Sequence, residues 1–152
     1  MLSRQASHAL KALLELARHP HRWRSTNQIA AAQQLPEPML ELILLRLRRA
    51  GILQARRGRL GGFQLARPAR KISVATVLTG LGESMGHYSQ PEVGDGGSNL
   101  EDSPADQVTQ ALQQRLERAR QKALEQVSLE DLLFDLLSTE ASTGSKSGLL
   151  LG

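Results

Sequence analysis

The chain has 152 residues, enough for one domain with an appendage. It has no cysteine, which excludes disulfides, thiolate metal sites and cysteine nucleophiles. Only 3% of residues are aromatic against 40% hydrophobic, so the core must be aliphatic, a composition that favours helices over sheets. Charge is divided unevenly: residues 1–78 hold 14 Lys and Arg against Glu15, Glu37 and Glu41, whereas residues 79–152 carry a net charge of −7. A basic head beside an acidic remainder points to a polyanion-binding head, the plainer alternative being that the basic groups serve solubility alone.

The start, Met1-Leu2-Ser3-Arg4-Gln5, lacks the apolar stretch of a signal peptide, and no apolar run is long enough to span a membrane. A soluble cytoplasmic protein is expected. Ser3 is placed to cap a first helix, in which Ala6, Ala9, Leu10, Leu13, Leu14 and Ala17 share a face. His19-Pro20 ends it. After a polar link containing Trp23, Ser25-Thr26-Asn27-Gln28 forms a capping box that opens a short helix to Gln34, with Ile29, Ala30 and Ala32 for packing. Leu35-Pro36-Glu37-Pro38 makes a turn. A third helix follows from Pro38 to Arg49, with Leu40, Ile43, Leu44, Leu47 and Ala50 inward and Gly51 suited to its end.

Ile52-Leu53 and Phe63-Gln64-Leu65 flank the glycine-rich stretch from Arg56 to Gly62, which reads as a β-hairpin. Two helices joined by a tight turn and followed by a basic hairpin is the order of a winged helix-turn-helix. The fold class expected is mainly α with a small β-hairpin wing. Ser73 then caps a helix from Val74 to Leu81. Residues 83–103 form a long polar and glycine-rich loop without periodicity. Ser103-Pro104-Ala105-Asp106 starts a helix running to about Gln126. Val108, Leu112, Leu116, Ala119, Ala123 and Val127 recur on it at spacings of three or four, a stripe for dimerisation with a second copy, or for folding back onto the head. A last helix is expected over Leu129–Leu137 and a disordered tail over 139–152. The expected organisation is a DNA-binding head over 1–82, the loop, a dimerisation segment over 104–138, and the tail.

In helix-turn-helix docking the first turns of the second helix reach base edges, here Glu37, Pro38, Met39, Glu41 and Leu42. Glu41 is either a specificity contact to a cytosine amino group or turned aside. Met39 is placed for a thymine methyl. Arg46, further along, is a phosphate or helix-packing residue. Ser25, Thr26 and Gln28 set hydroxyls, an amide and a helix N-terminus where a phosphate would lie. Arg57 and Arg59 flank Gly58 at the hairpin tip, where arginines can enter a narrow minor groove. No catalytic constellation is found and His8, His19, His21 and His87 are scattered, so neither an enzyme nor a metal or other cofactor is expected.

Several phrases together resemble the Rrf-type regulators, the family of IscR, NsrR and CymR. They are Met1-Leu2-Ser3-Arg4, His8-Ala9-Leu10-Lys11-Ala12-Leu13, Ile29-Ala30, Met39 to Gly51, Arg57 to Ala66, and Ile72 to Val77. The resemblance implies a homodimeric transcription regulator, usually a repressor, whose second helix reads the major groove and whose wing arginine enters the minor groove. Double-stranded DNA and a second copy are the partners it implies. Many relatives carry three cysteines in the loop before the dimer helix, and these hold an iron–sulfur cluster. Here that loop has none, so no thiolate-held cluster can form. Cysteine-lacking relatives can answer to partner proteins, so the alternative is a regulator controlled by a protein partner or a small-molecule effector.

Overall fold

The computed structural model describes residues 2–83 and 103–148. The element order is α1 (Arg4–Arg18), α2 (Thr26–Gln33), α3 (Glu37–Arg49), β1 (Leu53–Arg56), β2 (Gly62–Leu65), a 3-10 turn (Ala69–Lys71), α4 (Val74–Gly80), α5 (Pro104–Gln126) and α6 (Leu129–Gly148). Mostly helical with one two-stranded antiparallel hairpin, this is the winged-helix class expected from the sequence. The 3-10 turn was not anticipated.

Local chemistry sets each boundary. Ser3 Oγ accepts from the Ala6 N–H, and Ser25 and Gln28 complete a reciprocal capping box at α2. Helix α2 ends one residue early, because Gln34 turns into the left-handed region at φ 53°. Helix α3 ends at Ala50, and Gly51 at φ 77° turns the chain into β1.

The core is aliphatic. Leu13 and Leu16 of α1 meet Ile29 of α2, Leu40, Ile43, Leu44 and Leu47 of α3, and Ile52, Ile72, Val77 and Leu78 beyond. Each fully buried side chain of this kind contributes about 1.5–3 kcal/mol relative to exposure. On α1 the inner face takes Ala12 and Leu16, while Leu14 is half-buried. Ala32 and Ala50, expected to pack inward, are exposed at the ends of their helices.

The head does not stop at residue 82. Val74 N–H donates to the Val127 carbonyl at 2.8 Å and Leu129 N–H to the Ile72 carbonyl at 2.9 Å. These bonds seat Leu129, fully buried, in the head's own core. Helix α6 then runs back along α1, and Arg18 pairs with Glu140.

The tail expected from residue 139 is helical as far as Gly148. Its serines and threonines, read as loop formers, bond back along the helix instead. Thr139 donates to the Asp135 carbonyl (2.8 Å), Ser142 to Ser138 (3.0 Å) and Thr143 to Thr139 (2.9 Å). Residues 149–152, and the expected loop over residues 84–102, lie outside the described residues.

Candidate nucleic-acid interface

Helix α3 buries Leu40, Ile43, Leu44 and Leu47, which turns the opposite stripe outward. Glu37, Pro38, Met39, Glu41 and Leu42 are all exposed, as the first-turn reading requires. Leu45 joins Met39 and Leu42 on that face and was missed. Its signal was available: once Leu44 and Leu47 are assigned inward, Leu45 lies three residues after Leu42 and must face out. His8 of α1 abuts this helix, with Nδ1 3.0 Å from the Met39 sulfur. Arg46 is only partly exposed and lines a cleft with Ala75, Thr76, Gln121 and Glu125.

At the start of α2, Ser25 Oγ accepts from the Gln28 N–H at 3.2 Å, and Gln28 Oε1 accepts from the Ser25 N–H at 2.9 Å. Both side chains act as acceptors in the cap, which leaves the Ser25 O–H and the Gln28 Nε2 group, with the Thr26 hydroxyl and the amides of Thr26 and Asn27, as donors for a phosphate.

The wing is tied at its base and open at its tip. β1 and β2 pair in register from Leu53–Leu65 to Arg56–Gly62. A third segment joins them: Arg24 in the α1–α2 link donates its N–H to the Phe63 carbonyl at 3.0 Å and accepts from the Phe63 N–H at 2.7 Å. Gly62, at φ 139°, is required there, since a Cβ would lie 2.3 Å from the Arg24 carbonyl oxygen. The Arg56 guanidinium sits 4.7 Å over the Trp23 ring and also donates to the Leu60 carbonyl at 2.8 Å. Arg56 is thereby spent on structure. Arg57 and Arg59, either side of Gly58 at φ 109°, are exposed, and among the described residues neither has an acidic partner within 4 Å.

Helix α5 has no buried residue. Val108, Leu112 and Leu116 are 70, 53 and 62% exposed, and Ala119 and Ala123 continue the stripe. Val127 departs from the expectation: it is half-buried at the end of α5 and packs against the head's core. The exposed part of the stripe therefore ends at Ala123. Among the described residues no helix is long and apolar enough to cross a membrane.

The Rrf2 family model, described as an iron-dependent transcriptional regulator, matches residues 2–135. The chain belongs to the Rrf2 family. An HTH-type transcriptional regulator of Synechocystis is 39% identical over 144 residues, 94% of each protein. The HTH-type transcriptional regulator IscR of Cereibacter sphaeroides is 30% identical over 135 residues, 87% of this chain and 86% of that one. Among solved structures, IscR of T. potens superposes with a TM-score of 0.70 at 28% identity, covering 90% of this chain and 88% of that one. CymR, the global cysteine regulator of B. subtilis, gives 0.70 at 25%, covering 88 and 95%.

Membership makes this Rrf2 protein a DNA-binding transcription regulator of the helix-turn-helix kind and not an enzyme. The family's iron finds a poor donor set here. The chain offers no thiolate, and among the described residues no three His, Asp or Glu side chains converge on a metal position.

Proposed function

We propose that this Rrf2 protein is a homodimeric, sequence-specific repressor that works without an iron–sulfur cluster. The observation that carries the reading is an α3 that exposes Glu37, Pro38, Met39, Glu41 and Leu42, beside a wing whose tip presents two arginines with no acidic partner within 4 Å among the described residues. Pro38, Met39, Glu41 and Leu42 meet base edges in the major groove, Thr26 and the α2 N-terminus meet a phosphate, and Arg57 and Arg59 enter the minor groove. The α5 stripe from Val108 to Ala123 packs against its copy, spacing two heads along the duplex.

The test is selection of duplexes from a randomised pool, followed by competition against random DNA in moderate salt and by sedimentation of protein and complex. Enrichment of a two-fold symmetric sequence bound by a dimer is expected. A pool that shows no enrichment refutes the DNA reading, and a monomer on half a site refutes the dimer.

A second reading, control by a small-molecule effector, has its own support. An open cleft of about 600 Å3 lies between α3, α4 and α5, lined by Arg46, Arg49, Thr76, Thr79, Gln121 and Glu125. Its size is that of ordinary ligand sites. A thermal-shift screen against small carboxylates and phosphates tests it, because a ligand of the folded state raises the melting temperature.

A further inference from the structure

Glu15 is the buried charged residue of the head, 5% exposed on the inward face of α1. Its carboxylate gathers three elements. The Arg24 Nη2 group of the α1–α2 link donates to Oε1 at 2.7 Å, Gln33 Nε2 at the end of α2 donates to Oε2 at 3.0 Å, and His19 Nε2 stands 3.8 Å from Oε1. A buried ion pair is weak support for stability, since an apolar substitute of similar size often serves as well. Here the pair is also imperfect, with Arg24 Nε buried and lacking a partner among the described residues. What the arrangement does supply is geometry. Arg24 holds Glu15 through its side chain and the wing's Phe63 through its backbone, and its neighbour Trp23 carries Arg56 of β1.

We propose that Glu15 is a positioning residue for DNA binding. Acting through Arg24, it fixes the angle between wing and helix-turn-helix, so that α3 and the wing arginines engage one duplex together. The proposal rests on the DNA reading above. It makes the wing's contribution conditional on a carboxylate that never touches DNA.

The experiment uses the full chain and the duplex it enriches most from a randomised pool. Affinities are measured for Glu15→Gln, for Arg57→Ala/Arg59→Ala, and for the triple variant, with the melting temperature of each. Arg24→Met, which keeps the apolar stem, takes the place of Glu15→Gln if that variant does not fold. Glu15→Gln is expected to weaken binding about tenfold in the native wing and less than about twofold once the wing arginines are gone, the non-additivity of groups that act as a unit. Hydroxyl-radical protection in the minor groove should fall while guanine N7 protection in the major groove remains. Equal losses with and without the wing arginines, or loss of both protections together, overturn the proposal in favour of a structural role. If Arg57→Ala/Arg59→Ala alone leaves affinity unchanged, it is the minor-groove reading that has failed.

Discussion

Substituting Gly62 by alanine tests how the wing is attached. A Cβ at this position would stand 2.3 Å from the Arg24 oxygen and 2.8 Å from the Ser25 nitrogen, both backbone atoms. No side-chain rotation relieves that clash, so β2 must withdraw from the α1–α2 link. The two Arg24–Phe63 hydrogen bonds are then lost, worth about 0.5–1.5 kcal/mol each. The residue also stays at φ 139°, a strain of about 1–3 kcal/mol for a non-glycine. The sum is about 4 kcal/mol, or a fall of roughly 10 °C in melting temperature for a chain of this size. Gly58→Ala is the control. Gly58 also has positive φ, 109°, but nothing lies within 4 Å of its Cβ position. It should carry the strain alone, about 2 kcal/mol less than Gly62→Ala. Thermal unfolding followed by circular dichroism separates the two. Equal losses would falsify the view that the α1–α2 link is a third strand of the wing.

Other outcomes are expected as well. Leu112→Asp/Leu116→Asp puts charges on exposed positions outside the buried core, so the chain should keep its helicity yet sediment as a monomer and bind its duplex about 10²-fold more weakly. A persistent dimer would place the interface elsewhere. Leu44→Ala, at a fully buried position of α3, should cost about 2–5 kcal/mol in denaturant unfolding, and a loss under 1 kcal/mol would contradict the packing. The hydrogen bond from Arg18 holds the Glu140 carboxyl below its ordinary value of 4.5. Because that pKa is lowered on folding, the anchoring of α6 is complete above the ordinary carboxylate range and is lost as pH falls through the lowered value. Protection factors of the amides over 139–148, with the intrinsic rate divided out, should fall in acid, and Glu140→Gln should abolish that acid dependence; protection factors insensitive to pH would speak against the tether.

The parts legible in the sequence were those with local signals. Ser3, Ser25, Ser73 and Ser103 announced four helix starts, and Gly58 to Gly62 between apolar runs announced the hairpin. What escaped depends on contacts between distant residues. Arg24 contributes one residue of strand pairing, too short to leave an alternation. Glu15 looked like any helical acid, although it sits one residue before Leu16 and two after Leu13 on a buried face, where an acid needs partners. The sequence alone ends helix α6 too early, because Ser, Thr and Gly read as tail, while the helix's support from α1 comes from across the fold. At the candidate interface, the outward residues of α3 followed from periodicity. The fate of Arg56 did not, because only the arrival of Trp23 distinguishes it from Arg57 and Arg59.

The wing's division into a fixed base and an unencumbered tip has a practical consequence. Leu60 is 81% exposed, and the space around Gly58 is open. Substitutions at 57, 59 and 60 leave the Arg24–Phe63 and Trp23–Arg56 contacts untouched. The tip is therefore a cassette whose sequence can drift, or be randomised in a library, at almost no expense to the fold. Altered operator preference can be sought there without re-engineering the head.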